Sequence, residues 1–471
     1  MKSANASIDM TEGSIVKNLV KFALPLLLGN MFQQLYNMVD TYVIGQTGDI
    51  SAYAAVGSVG PIINILIGFF LGFSAGAGVV ISQYFGAGDK DKVSMASHTA
   101  MAFSLILCVV LTAVGVIFAP FLVRLMLRGD AQSNLYYAAK DYLTIYFSGV
   151  TGLLIYNIGS GILRAIGDSR HPFIFLAVSA FTNTVLDVAF VFGLKMGVSG
   201  VALATVIAQC LSAALTLFVL FRTDTPVRIY IKKLKLNGAT LIRIVRIGVP
   251  AAIQMALTSF SNVFVQSYIG SADPPAGMSY AKDLYLSGWT TYSKVDAVMF
   301  LPLQSVSVAV TTFVGQNLGR GYVARAKRGT YAAYLIQTVI TIALMIPIIT
   351  FAPQIAAVFN SDPEVVENAS LLLHRLTPFY LFPCVNQVFA GSLRGAGRST
   401  PPMFIMLGTF VGVRQIYLFI MSNFVSNSFL SIAFSYPVGW IACSITMLTF
   451  FFTCDFSKGR ITGSPDYRYL Q

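Results

Sequence analysis

Leu163-Arg164-Ala165-Ile166-Gly167-Asp168-Ser169 returns as Leu393-Arg394-Gly395-Ala396-Gly397-Arg398-Ser399, and a proline follows each copy, Pro172 and Pro402. The duplication extends outward. Gln83, Gly86 and Gly88 return as Gln316, Gly319 and Gly321; Pro25, Asn37 and Gly45 return as Pro250, Asn262 and Gly270. The spacing between copies differs for the first helix and the loop after the second. Extra residues are therefore expected between the first two helices of the second half, within Ser271–Gly288, a stretch that holds Pro274 and Pro275.

The repeated unit is apolar. The 471-residue chain is 56% hydrophobic and 11% charged, with a mean hydropathy of +0.72. A soluble domain carries about 25% charged residues, and a chain this poor in charge cannot cover a water-facing surface. A membrane helix needs ~20 mostly apolar residues. Twelve such runs are expected, near 17–44, 52–82, 94–121, 135–161, 172–194, 198–221, 244–270, 290–315, 329–352, 366–391, 402–422 and 428–453. The expected fold is all-α and embedded in a lipid bilayer, with two parallel six-helix repeats around a central cavity. Six is even, so both copies cross in the same sense, a common transporter plan. The expected parts are a cytoplasmic N-terminus at 1–16, an N-lobe at 17–221, a basic linker at 222–243, a C-lobe at 244–453 and a tail at 454–471. The first run is long and lacks a small-residue cleavage site, so it is expected to stay as the first span.

The net charge is +12. On a soluble chain that would suggest nucleic acid. Here most of the 31 basic residues fall between apolar runs, where they set orientation. With the N-terminus inside, the inner segments hold Lys2, Lys17, Lys21, Lys90, Lys92, Arg164 and Arg170, then Arg222, Arg228, Lys232, Lys233, Lys235, Arg243 and Arg246. Arg320, Arg325, Lys327, Arg328, Arg394, Arg398, Lys458, Arg460 and Arg468 follow. Both termini are expected in the cytoplasm, and the 352–366 connection, with Asp362 and Glu364 but no basic residue, outside. No nucleic-acid partner is expected. No GxxxxGK[ST] occurs, so no nucleotide partner is expected. The cysteines Cys108, Cys210, Cys384, Cys443 and Cys454 form no CxxC and read as small apolar residues. No metal-ligand spacing joins His98, His171 and His374, and no cofactor is expected.

Two acids, Asp40 and Asp187, lie well within apolar runs, and Asp296 lies near the start of the eighth. A charge at the bilayer centre costs ~2.5–3.5 kcal/mol on insertion scales, so such residues face a wet cavity or a partner. Gln33, Tyr36, Asn37 and Asp40 share one helical face. That stripe reads as a cavity wall or as a polar seam between helices. Asn183 and Asp187 are four apart in the fifth run, as are Thr205 and Gln209 in the sixth; Asn157 is a mid-span amide in the fourth. Pro25 interrupts the first run and favours a kink, either static or a hinge. Arg414 is the one basic residue deep in a span. It reads as paired with backbone carbonyls or as a substrate contact.

These residues resemble the multidrug and toxic compound extrusion family over about 15–455, and within it the DinF-like branch. The resemblance rests on Pro25 to Asp40, Gln83-Tyr-Phe-Gly-Ala-Gly88, both Gly-x-Leu-Arg-x-x-Gly loops, Asn183-Thr-Val-Leu-Asp187, Phe300-Leu-Pro302 and Phe313-Val-Gly-Gln-Asn-Leu-Gly319. It implies a bacterial or archaeal plasma-membrane antiporter. Amphiphilic, often cationic small molecules would leave as H⁺ or Na⁺ enters, and no bond would be made or broken. It also implies that Asp40, Asn183, Asp187 and Thr205 converge as the cation-coupling site, and that the first helix bends at Pro25. Two adjacent carboxylates in low dielectric cannot both ionise cheaply, so one is expected to hold a proton; Na⁺ would suit the same oxygens. Substrate is expected to contact Gln33, Tyr36, Asn37 and Asn157. The acids of the NorM-like branch are absent: Thr258 and Pro383 stand in their places. The second half also carries Val265, Val413 and Tyr417 where the first has Asp40, Asn183 and Asp187. A flippase for lipid-linked precursors is the alternative. It would favour further helices and several cavity arginines, which the sequence does not offer.

Overall fold

The computed structural model describes residues 7–47, 50–127, 134–274, 282–456 and 460–461. Lys2, Lys458, Arg468 and Pro275 lie outside the described residues, as does much of the expected insertion at Ser271–Gly288. Among the described residues the chain is helical, without strands. Its helices are α1 (Ile15–Gly45), α2 (Ile50–Gly86), α3 (Lys90–Leu127), α4 (Asn134–Ser148), α5 (Val150–Ala165), α6 (Arg170–Val188), α7 (Gly197–Arg222), α8 (Gly238–Ile269), α9 (Lys282–Arg320), α10 (Val323–Thr350), α11 (Ala352–Phe359), α12 (Pro363–Leu376), α13 (Leu381–Gly395), α14 (Thr400–Leu407), α15 (Arg414–Ile420), α16 (Phe429–Ala433) and α17 (Ser435–Thr453).

Ten helical segments among the described residues are long and apolar enough to cross a membrane, and the pair α4–α5, bent by 46°, makes an eleventh. The expected span at 366–391 falls on α12 and α13, which have 14 and 15 residues. A 3-10 turn, Thr377–Tyr380, separates them. Pro378 lies in that turn, and proline lacks the N–H that a continuous α-helix would use. Three π segments also interrupt regular α-helix: Ala189–Gly193 after α6, Gly408–Val413 before α15 and Met421–Val425 after it.

The repeated loops are helix C-terminal caps rather than phosphate cradles. Gly88, Gly167, Gly321 and Gly397 all have positive φ, between 75° and 92°, the left-handed conformation that glycine adopts without a Cβ penalty. Asp89 N donates to Tyr84 O and Asp168 N to Leu163 O; Tyr322 N donates to Asn317 O and Arg398 N to Leu393 O. Each bond captures a carbonyl the helix end would leave bare.

A clamp is repeated with the caps. Ser74 Oγ donates to Asn157 O at 2.6 Å, and Arg164 donates to Ser74 Oγ at 3.3 Å. In the second copy, Ser307 Oγ donates to Gln387 O at 2.8 Å, and Arg394 donates to Ser307 Oγ at 2.9 Å. The arginine of each Leu-Arg-x-x-Gly motif thus pins two helices together. It engages a serine, with no acid required.

Contacts divide the chain into two compact units, Met1–Thr11 with Lys21–Ala252, and Glu12–Val20 with Ile253–Gln471. The division falls inside α8, whereas the sequence places the whole seventh run in the second lobe. The cause is close packing of α8's first half on α2. A Cβ on Gly72 would lie 2.4 Å from Ala252 N, and one on Gly76 would lie 2.5 Å from Ile244 O. The basic segment expected as a linker, 222–243, is ordered on the same unit. Tyr230 N donates to His98 Nε2 at 3.0 Å, and Asn237 N donates to Thr99 Oγ1 at 3.3 Å. His98 Nδ1 lies 2.7 Å from Ser94 O. The two bonds require the neutral tautomer with its proton on Nδ1.

Candidate functional site

α1 carries Asp40 near its C-terminal end, α6 carries Asn183 and Asp187 in its last turns, and α7 carries Thr205. The four side chains are 7%, 1%, 0% and 5% exposed, so the helices withdraw them from any solvent. Asp40 is in side-chain contact with Asp187, Thr205 and Asn183. The four residues expected to converge do so in this structure.

Their hydrogen bonding is incomplete. Thr205 Oγ1 lies 3.4 Å from Asp40 Oδ2 and 3.0 Å from Val201 O, so one hydroxyl proton serves two acceptors. Asp40 Oδ1, both Asp187 carboxylate oxygens and both side-chain polar atoms of Asn183 are buried without a partner of hydrogen-bond geometry. An unsatisfied buried polar group costs about 1–3 kcal/mol, and a charged one more. Two carboxylates in contact have no donor to share unless a proton or a cation sits between them. The donor set, all oxygen apart from one amide nitrogen, suits either. Among the described residues no group of three or more His, Cys, Asp or Glu could hold a metal ion. A sodium ion here would have to draw on the Asn183 and Thr205 oxygens.

The local sequence explains the placement. Asn183 and Asp187 are one turn apart, and the π segment Ala189–Gly193 begins two residues after Asp187. A π turn shifts helical register, and such bulges are frequent at functional sites.

Around the acids lies a wall of tyrosines, of which the sequence singled out Tyr36. Tyr36, Tyr142 and Tyr146 stand within electrostatic reach of Asp40. Tyr36 is paired with Gln33 and Tyr146 with Gln209. Tyr142 and Tyr146 are themselves one helical turn apart on α4, with rings 6.4 Å apart. That i, i+4 spacing in the fourth run was the available signal. Gln33 is half-buried and Asn37 exposed. Asn157 takes part in helix packing: its Nδ2 donates to Leu153 O at 2.8 Å, and its backbone carbonyl accepts from Ser74. Pro25 lies inside α1, which is continuous from Ile15 to Gly45.

The second unit has a polar cluster of its own. Asp296 on α9 accepts a hydrogen bond from the Tyr380 hydroxyl, and Tyr292 Oη lies 3.4 Å from the same oxygen. Trp289, Tyr436 and Trp440 continue the cluster, with ring centroids 5.2–5.7 Å apart. Arg414 donates to side chains of α8, Ser261 Oγ and Asn262 Oδ1. The sequence reading offered it backbone carbonyls or substrate; its protein partners are side-chain oxygens.

A family model, MatE, matches residues 25–189 and 250–420, bracketing both copies of the repeat. The probable multidrug resistance protein YoeA of Bacillus subtilis (strain 168) is 28% identical over 460 residues, 95% of this chain and 96% of that one. A protein of Shewanella oneidensis named FAD transporter is 25% identical over 414 residues, 86% of this chain and 87% of that one. Among solved structures, a transporter of the MOP superfamily from Pyrococcus furiosus superposes with a TM-score of 0.89 at 22% identity, covering 98% of this chain and 100% of that one. Structures described as MATE in the straight and the bent conformation give TM-scores of 0.89 and 0.85, both at 21% identity, covering 98% of this chain and 100% and 98% of theirs. The twice-repeated motifs, the helical architecture and the family match agree: this chain belongs to the MatE family of multi-pass membrane transporters, which are not enzymes.

Proposed function

We propose that the chain is a cation-coupled multidrug exporter, an antiporter that exchanges amphiphilic, often cationic small molecules for H⁺ across a plasma membrane. The observation that carries this reading is the buried Asp40–Asp187 pair, with Asn183 and Thr205 beside it and too few donors to satisfy it. A carboxylate pair held this way takes up one positive charge readily. Binding a proton there removes the attraction for a cationic substrate, and loss of the proton restores it. Competition of that kind links the two flows without any bond being made or broken. Gln33, Tyr36 and Asn37, on the α1 face that leads to Asp40, are the proposed substrate contacts, with Tyr142 and Tyr146 beside them and Asn157 at the edge. Weak, adaptable aromatic contacts suit a polyspecific pocket. The relative named as a probable multidrug resistance protein supports the substrate class. Pro25, inside α1, is the proposed hinge, since a proline there removes a helical hydrogen bond.

Purified protein in liposomes, with a fluorescent organic cation inside, tests the coupling. Efflux is expected to follow an imposed ΔpH and to persist without Na⁺. Efflux that required inward Na⁺ and ignored ΔpH would replace the proton by sodium at the same four residues. Movement of a lipid-linked pyrophosphate, with no effect on the dye, would favour the flippase.

A further inference from the structure

From Arg222 to Arg246 the chain holds seven basic residues and one acid, Asp224. The ion pairs found among the described residues are Lys92–Asp89 and His171–Asp168, so none of the seven has a carboxylate partner. The stretch is nevertheless fixed, through its backbone. Ile229 N donates to Leu220 O at 2.9 Å, Tyr230 N to His98 Nε2 at 3.0 Å and Asn237 N to Thr99 Oγ1 at 3.3 Å. The helices it joins, α7 and α8, are both long and apolar enough to cross a membrane. A connection from Arg222 to Gly238 therefore lies at one membrane face.

A cleft of about 420 Å³ adjoins this connection, lined by Phe221, Ile229, Tyr230, Ile231, Lys232 and Lys233. Its wall is apolar and aromatic apart from the two lysines, which the 3-10 turn Ile231–Lys233 places side by side. Ile231 is 72% exposed and Tyr230 44%. The Arg228 guanidinium carbon and Lys233 Nζ lie 5.2 and 5.1 Å from the centroid of the Tyr230 ring, and Arg228 Nε is buried without a hydrogen bond. Like charges gathered at one ring repel each other, and an anion beside them relieves the repulsion. A free phosphate has no use for the apolar wall, and a cationic drug is repelled by the rim. A molecule with an apolar body and an anionic head satisfies both parts.

We propose that this cleft is a binding site for an anionic phospholipid, with an acyl chain along Phe221, Ile229 and Ile231 and the headgroup phosphate at Lys232 and Lys233. Lysine stems lie along hydrocarbon while their ammonium groups reach the polar boundary, and basic clusters beside span ends attract acidic headgroups. The exposed Leu236 and Ile242 extend the apolar contact toward the start of α8. The site is separate from the Asp40–Asp187 pair, so its failure leaves the export reading untouched.

The purified full chain in a neutral detergent is titrated with phosphatidylglycerol and with phosphatidylcholine of the same acyl chains. Native mass spectrometry reads the bound species, with thermal melting as the fold control. Wild type is expected to bind phosphatidylglycerol about tenfold tighter or more. The double variant Lys232→Gln, Lys233→Gln should weaken it about tenfold and change phosphatidylcholine by less than about twofold. Lys232→Arg with Lys233→Arg should retain the preference. Lys327→Gln with Arg328→Gln removes two charges from exposed positions on α10 and should leave phosphatidylglycerol within about twofold. Ile231→Ser should weaken both lipids, and glycerophosphoglycerol, the headgroup without chains, should displace neither. Equal binding of the two lipids by wild type overturns the proposal, as does an equal loss in the α10 variant, which would make the attraction diffuse. Displacement by glycerophosphoglycerol or by inorganic phosphate overturns it in favour of a phosphate site, and a protein bound in place of lipid overturns it in favour of a protein partner.

Discussion

At the scale of single residues, the buried acids of the two units differ in what satisfies them. Asp296 has two tyrosine hydroxyls directed at one oxygen, whereas Asp40 shares a single threonine proton with a carbonyl and faces another carboxylate. Asn is nearly isosteric with Asp and lacks only the ionisable group. Asp40→Asn should therefore insert and fold but lose ΔpH-driven efflux, read in the liposome assay at matched protein. Asp187→Asn should flatten the pH dependence of dye binding, because the carboxylate pair that takes up the proton is gone. Asp296→Asn should show the reverse pattern. It exchanges an acceptor of charged hydrogen bonds for a neutral one, which costs about 1–2 kcal/mol of stability. A lowered melting temperature with efflux retained is the expected result. Equal loss of efflux in Asp40→Asn and Asp296→Asn would count against a coupling site in the first unit.

At the scale of elements, glycine decides how closely helices approach. α2 and the first half of α8 meet where Gly76 faces Ile244 O and Gly248 N, at 2.5 and 2.7 Å from a built Cβ. These are backbone atoms, which cannot rotate away. Gly76→Ala should cost about 1–3 kcal/mol, the scale of overpacking, and lower the melting temperature of the purified protein. Gly57, with no atom within 4 Å of a built Cβ, is the matched control, and its alanine variant should melt with the wild type. Apolar length made the spans legible in the sequence. The bend between α4 and α5, the 3-10 turn at Thr377–Tyr380 and the π segments were not. Each depends on which backbone groups find partners after packing, and hydropathy does not report that. The same holds for the site. The acids stood out because charge is rare in a span, and Asn183 and Thr205 through their spacing and family likeness. Tyr142, Tyr146, Tyr380 and Tyr436 did not, because tyrosine in an apolar run resembles any other core residue until its hydroxyl has a place. Asn157 stood out as an amide and proved to be bonded within its own helix.

At the scale of the whole molecule, the duplication leaves orientation open, since a parallel repeat gives both copies the same sense without fixing which sense that is. Charge resolves it. The ordered segment from Arg228 to Lys235 displays Lys232, Lys233 and Lys235 to solvent, and short basic loops are retained in the cytoplasm. The connection expected outside is the turn before α12, where Asp362 caps the helix by accepting from Glu364 N at 2.9 Å and no basic residue lies nearby in sequence. Both expectations can be tested with one reagent. Lys235→Cys and Glu364→Cys are made in a background in which the exposed Cys210 and the partly exposed Cys454 are serine; the three remaining cysteines are buried. A membrane-impermeant maleimide added to intact cells should label position 364 and leave position 235 unmarked, and opening the cells should expose 235. Labelling of 235 in intact cells, with 364 protected, would invert the molecule. It would also invert the direction of export, because the side that loads substrate and the side that admits the proton would exchange places.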